Sequence, residues 1–229
     1  MLKKLKRVFK AQRKRARVPR GPRLEIHPLS GILFSLEDPR YPRIDFEVVN
    51  LSEDGIGLCN APVIKRPSAG SRLSGTMVLP GGRCKTELVV VHASATTIGC
   101  SFPQSSGIRT QVQQLFALEL SAMNLIEVPA GEVKATADGT VRRFRSRNNC
   151  ELIFVEQDQA IVRFQLSFFG NYIEGGAGLK TKFGFLTATS LVRLVPALSS
   201  EVLKSARRFL DHVPQLSPFQ RAYLQKSIK

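Results

Sequence analysis

The chain has 229 residues, 43% of them apolar, which is enough to enclose one large hydrophobic core or two small ones and excludes a wholly disordered polymer. Its 34 Lys and Arg against 18 Asp and Glu leave a formal net charge of +16, so the expected partners are anionic: nucleotide, nucleic acid, acidic protein or lipid headgroup. No apolar run reaches the roughly 18 to 20 residues that span a bilayer.

Residues 1–22 form a basic arm. Lysines and arginines crowd it, no acid interrupts it, and Leu2, Leu5 and Phe9 fall at helical spacing until Pro19 and Pro22 stop the pattern. Like charges at this density repel, so the arm is expected to be mobile in the free protein. It contains Arg13-Lys14-Arg15-Ala16-Arg17, an Arg-x-x-x-Arg spacing.

From residue 23 the pattern becomes that of strands. Residues 23–37 are expected as one strand bent around Pro28 and Gly31, since proline removes a ladder donor. Residues 43–49 alternate Ile44, Phe46 and Val48 with Asp45 and Glu47, the period of a half-buried strand. Asn50-Leu51-Ser52-Glu53-Asp54-Gly55 interrupts it, and residues 56–60 resume. Further strands are expected over 72–79, 84–93 and 96–102, punctuated by Pro67, Gly70 and Pro80-Gly81-Gly82. Strands of this length and spacing predict a mainly β fold built on a small antiparallel barrel.

Residues 107–126 change period, with Ile108, Val112, Leu115, Phe116, Leu120 and Met123 on one helical stripe that packs on the barrel end. Val128-Pro129-Ala130-Gly131 ends it and marks a domain boundary, giving a barrel domain over 23–128 and an α+β domain over 129–229. In the latter, strands are expected at 142–146, 150–156, 160–169 and 179–189, and helices at 191–213 and 219–228.

The arm and the interrupted strand together hold what a compact, doubly charged, guanine-bearing ligand requires. Arginine forks grip phosphate or the O6/N7 edge of guanine, Asn and Ser add directed hydrogen bonds, and Gly lets the backbone turn close to the ligand. Taken singly, Arg-x-x-x-Arg occurs by chance in a basic tract, and Asn-x-Ser-x-x-Gly is an ordinary hairpin turn. Order and separation make the conjunction specific.

At these residues the chain resembles the PilZ domain, over about residues 13–120, with Pro67, Gly70 and Ile98-Gly99-Cys100-Ser101-Phe102 fitting the family's turn and terminal strand. The resemblance implies a receptor for the bacterial second messenger cyclic di-GMP. Arg13 and Arg17 would supply guanidiniums, Asn50 would take the family's Asp-or-Asn position, Ser52 would offer its hydroxyl, and Gly55 would turn the backbone. The nucleotide would order the arm against the barrel and change contacts with a downstream protein partner. Family members are associated with motility, pili and exopolysaccharide, and hence with biofilm.

A fainter echo lies downstream. Asn171 to Leu179 aligns without gaps to Asn50 to Leu58, and Arg143 and Arg147 repeat the arginine spacing, although Ile173 replaces Ser52. A degenerate second PilZ-like unit over 142–229 and chance recurrence of a Gly-rich hairpin both account for it.

Other classes receive less support. The arm's apolar Leu2, Leu5, Val8 and Phe9 among basic residues suit transient contact with an anionic membrane. Nucleic-acid binding with a nucleotide-silent barrel is an alternative, although no recognisable nucleic-acid motif and no tryptophan accompany the charge. No nucleophile elbow, paired acid or phosphate loop points to an enzyme or to a cofactor. Three histidines isolated in sequence give no metal cluster. Cys59, Cys84, Cys100 and Cys150 lack Cys-x-x-Cys spacing and are expected as reduced, buried thiols in a cytoplasmic protein without a secretory signal.

Overall fold

Pro28 and Gly31 break the first expected strand into two. In the computed structural model, which describes residues 22–59, 66–104, 106–133, 139–189 and 191–228, β1 (Leu24–Glu25) gives way to a 3-10 turn at Pro28–Ser30. His27 Nδ1 accepts from the Leu29 N–H at 3.2 Å, and Gly31 leaves the turn at φ 70°, a left-handed conformation that glycine adopts without strain. The expected arm up to residue 21, with Arg13 and Arg17, lies outside the described residues.

The chain continues into β2 (Leu33–Leu36), β3 (Ile44–Leu51), β4 (Gly55–Cys59), β5 (Arg72–Leu79), β6 (Gly82–Ala93) and β7 (Thr97–Ser101). The strands pair antiparallel in the order β3, β2, β5, β6, β7, β4, and β4 pairs back onto β3. The result is a closed six-stranded barrel with β1 laid against the end of β3, and closure leaves no edge inside the ring. Along β3, Phe46 and Val48 point inward while Asp45 and Glu47 face solvent. A bulge between Val48 and Asn50 then shifts the alternation by one residue, so that Leu51 is buried and Asn50 faces outward. Phe34, Leu58, Leu73, Met77 and Leu88 fill the interior.

Two helices replace the single one expected over 107–126. α1 (Gly107–Leu115) and α2 (Ala117–Met123) meet at Phe116, whose backbone at φ −115° and ψ 22° interrupts the helix. The bend has a packing cause: Ile108, Val112 and Leu120 belong to the barrel core, whereas Ala122 and, just beyond α2, Leu125 belong to a second core. Leu115, expected on the buried stripe, is exposed.

That second core lies under a seven-stranded antiparallel meander, in which each strand pairs with the next. Its strands are β8 (Ile126–Glu127), β9 (Thr140–Arg145), β10 (Glu151–Gln157), β11 (Ala160–Phe168), β12 (Asn171–Gly176), β13 (Leu179–Leu186) and β14 (Val192–Val195). α3 (Ser200–Asp211) and α4 (Pro218–Ser227) pack against one face, through Phe209, Leu210 and Leu224 on Phe144, Phe154, Phe164 and Ile173. The fold is thus mainly β, a barrel followed by an α+β region. The second sheet begins at Ile126, inside the stretch assigned to the barrel unit. Val192–Val195 is strand rather than the start of a helix, because β-branched valines lead to Pro196, which bars helix, and α3 starts only after Ser199 accepts from the Val202 N–H at 3.3 Å.

The echo of the first motif has a different backbone. Asn50 is the last but one residue of β3 and residues 52–54 connect it to β4, whereas Asn171 begins a strand that runs through Gly176. The second sheet is an open meander and not a second closed barrel.

Cys100 and Cys150 are buried, and burial pushes the Cys100 thiol up to about 12. Cys84 is half-buried and Cys59 exposed, which corrects the expectation of four buried thiols: in β4 it is Ile56 and Leu58 that face the core, so Cys59 faces out. No helix among the described residues is long and apolar enough to cross a membrane.

Between β2 and β3 the buried Asp38 carboxylate accepts from Arg40 Nε at 2.9 Å, Nη2 at 2.6 Å and the backbone N–H at 3.0 Å. The Arg40 side chain, helped by its backbone N–H, holds the Asp38 carboxyl at about 2, below its ordinary 3.8. A folded-state value below the unfolded one stabilises the fold above about pH 4, and this contribution is lost as pH falls toward 2. Asp38→Asn is expected to flatten the dependence of melting temperature on pH between 4 and 2, measurable by thermal denaturation across that range.

Candidate functional site

The β3–β4 hairpin is closed tightly by Ser52, whose backbone N–H and hydroxyl both donate to the Gly55 carbonyl, at 2.9 and 3.3 Å. Strand pairing then carries its outer face across the barrel. Asn50 on β3 is opposite Gly57 on β4, Gly57 is opposite Gly99 on β7, and Gly99 is opposite His92 on β6. A Cβ placed on Gly57 would come 2.7 Å from Asn50 Oδ1, and one on Gly99 would overlap the His92 ring. Both planar side chains therefore lie against glycine backbone, low on the surface, where bulkier neighbours would lift them away. His92 Nδ1 is buried, and no group among the described residues pairs with it.

The hairpin's acids are turned to other uses. Asp54 Oδ1 takes Arg109 Nη2 of α1 at 2.5 Å, and Glu53 Oε1 accepts from Asn124 Nδ2, next to the end of α2, at 2.9 Å. The Asp54 charge is thereby paired with a helix arginine, and Glu53 is held by the residue that caps α2.

Arg23 leads the chain into β1 with Nη1 3.5 Å from Asn50 Oδ1, so the described chain starts alongside Asn50. Arg17 and Arg13 precede Arg23 by six and ten residues, a covalent reach of at most about 20 and about 35 Å. Asn50, Ser52 and Gly55 occupy one hairpin, and both arginines lie outside the described residues.

Gly55 differs from its expected role. It is not at positive φ; a Cβ there would overlap the Cys100 backbone carbonyl on β7, so close strand approach, and not turning, demands glycine. Gly57, Gly99 and His92 escaped the motif. The available signal was glycine inside strand patterns, at Gly57 and Gly99, which marks close approach by another group.

Among the described residues no group of three His, Cys, Asp or Glu side chains could hold a metal ion. No family model matches the chain, and no curated protein matches it. A crystal structure of an uncharacterized Legionella protein is similar at 18% identity, over 42% of this chain and 88% of that one, with a TM-score of 0.30.

Proposed function

We propose that the outer barrel face around Asn50, Ser52 and His92 binds cyclic di-GMP, and that the protein is a receptor for this nucleotide rather than an enzyme. The observation that carries the reading is the row of Asn50, Gly57, Gly99 and His92 beside the Ser52 hairpin. A guanine lying over the two glycine-backed planes would find the Asn50 amide, which both donates and accepts, and an imidazole beside it. Arg13 and Arg17, reaching in from the Arg23 side, would supply charge-assisted contacts to the phosphates and to the O6/N7 edge.

The route by which occupancy reaches a partner follows from the hairpin's other contacts. Glu53 and Asp54 tie it to Asn124 and Arg109. α2, which Asn124 caps, carries the buried Glu119, paired with Arg208 of α3. A shift of the hairpin on binding bears directly on the helix whose residues enter both cores, and so on the surface offered to a downstream protein.

Calorimetric titration of the purified chain with cyclic di-GMP, beside GTP and cyclic AMP, tests the proposal. Saturable binding of cyclic di-GMP well above both controls is expected. Equal affinity for all three would reduce the interaction to attraction between a polycation and an anion, and the proposal would fall.

A further inference from the structure

On the face of the second sheet opposite α3 and α4, a cleft of about 800 Å³ opens between the β9–β10 and β11–β12 turns. Arg143 and Arg145 line one side, two residues apart and hence on the same face of β9. Both guanidiniums converge on a single oxygen, Glu151 Oε1, with nitrogens at 2.7 and 3.1 Å. One carboxylate shared by two arginines leaves a net positive charge in the cleft. Arg145 is the more exposed of the two, at 59% against 32%, and is the one placed to turn toward an incoming anion.

Phe169 borders the same cleft. It occupies, with Gly170, a two-residue hairpin turn between β11 and β12, at φ 46° and 78°. Asn-Gly satisfies such a turn without strain, whereas a bulky side chain in the left-handed region is an outlier. Packing offsets little of the strain, because the residue is 48% exposed. A strained backbone that holds an aromatic face in solvent beside two arginines is the kind of local departure that marks a binding site.

We propose that this cleft is a second ligand site, distinct from the barrel face, which takes a nucleotide with its base stacked on Phe169 and its phosphate on Arg145. The base-and-phosphate unit has two sources, a free nucleotide or a stretch of single-stranded nucleic acid. The arginine echo noted in the sequence is replaced here by a different pair: Arg147 lies in the turn after β9, and Arg145 takes its place beside Arg143.

The test is calorimetric titration of the full chain with AMP and with a thymidine octamer, with pyrophosphate and polyglutamate as ringless anions. Phe169→Asn is expected to raise the melting temperature by about 2 to 4 °C through relief of turn strain, yet to weaken binding by about 5- to 150-fold through loss of stacking. Arg145→Gln should weaken the nucleotide and pyrophosphate alike. Binding of AMP identifies a free nucleotide as the source, and binding of the octamer alone identifies a strand. The proposal is overturned if pyrophosphate or polyglutamate binds as tightly as both nucleotide probes, if neither probe binds, or if Phe169→Asn leaves affinity unchanged. Loss of AMP binding in Ser52→Ala would place that nucleotide on the barrel and overturn it equally, so failure here and failure of the barrel site are separable.

Discussion

Replacing Arg17 by alanine is expected to weaken cyclic di-GMP binding by about 5- to 150-fold, the equivalent of one bidentate contact worth about 1 to 3 kcal/mol. The informative comparison is Arg7→Ala, which removes the same charge from the same tract outside the Arg-x-x-x-Arg spacing. A generic polycation loses similar affinity from either change, and salt abolishes both effects together. A guanidinium that forks onto phosphate or guanine is not replaceable in this way. Arg17→Lys should remain weak because a compact ammonium lacks the planar pair of donors, while Arg7→Ala should stay near the parent at 0.15 M salt. Calorimetry on the three variants decides it: equal losses for Arg7→Ala and Arg17→Ala would remove Arg17 from the site.

Local chemistry explains which parts of the fold were legible. β3 declared itself because Phe46 and Val48 alternate with Asp45 and Glu47, and β5 and β6 because Pro80-Gly81-Gly82 lies between two β-rich runs. The number and spacing of the strands pointed to a small barrel, but not to which strands meet across it, since the β2–β5 and β4–β7 pairings join strands distant in sequence and depend on twist and register over the whole ring. The helix break at Phe116 was invisible for a similar reason: no glycine or proline marks it, and it follows from two cores competing for one amphipathic stretch. At the candidate site, Asn50 and Ser52 could be found because a polar turn interrupting an alternating strand is conspicuous. His92 could not, because a single histidine in an apolar strand gains meaning only when strand pairing sets it opposite Gly99. The Arg143 and Arg147 spacing does not stay on one strand: β9 ends at Arg145 and Arg147 lies in the turn beyond it, so Arg143 is joined on its face by Arg145, two residues away.

The two glycines of the hairpin are expected to separate stability from binding. At Gly55 an added methyl would overlap the Cys100 backbone carbonyl, and the β4–β7 ladder to which both belong gives that carbonyl little freedom to retreat. Gly55→Ala should therefore destabilise by about 1 to 3 kcal/mol, as overpacking does. For a chain of this length that lowers the melting temperature by about 2 to 4 °C per kcal/mol. At Gly57 the atoms nearest an added methyl all belong to the Asn50 amide, the first at 2.7 Å, and that amide is the end of a side chain able to rotate away. Gly57→Ala should leave stability within about 0.5 kcal/mol of the parent, the range of changes that strain no backbone. The displaced Asn50 would no longer lie where guanine is to meet it, so cyclic di-GMP affinity should fall in a protein that melts normally. Thermal denaturation and calorimetry on both variants test the pair: if Gly57→Ala binds as the parent does, the Asn50 row is not the nucleotide's floor, and if Gly55→Ala melts as the parent does, the close approach of β4 to β7 does not constrain residue 55.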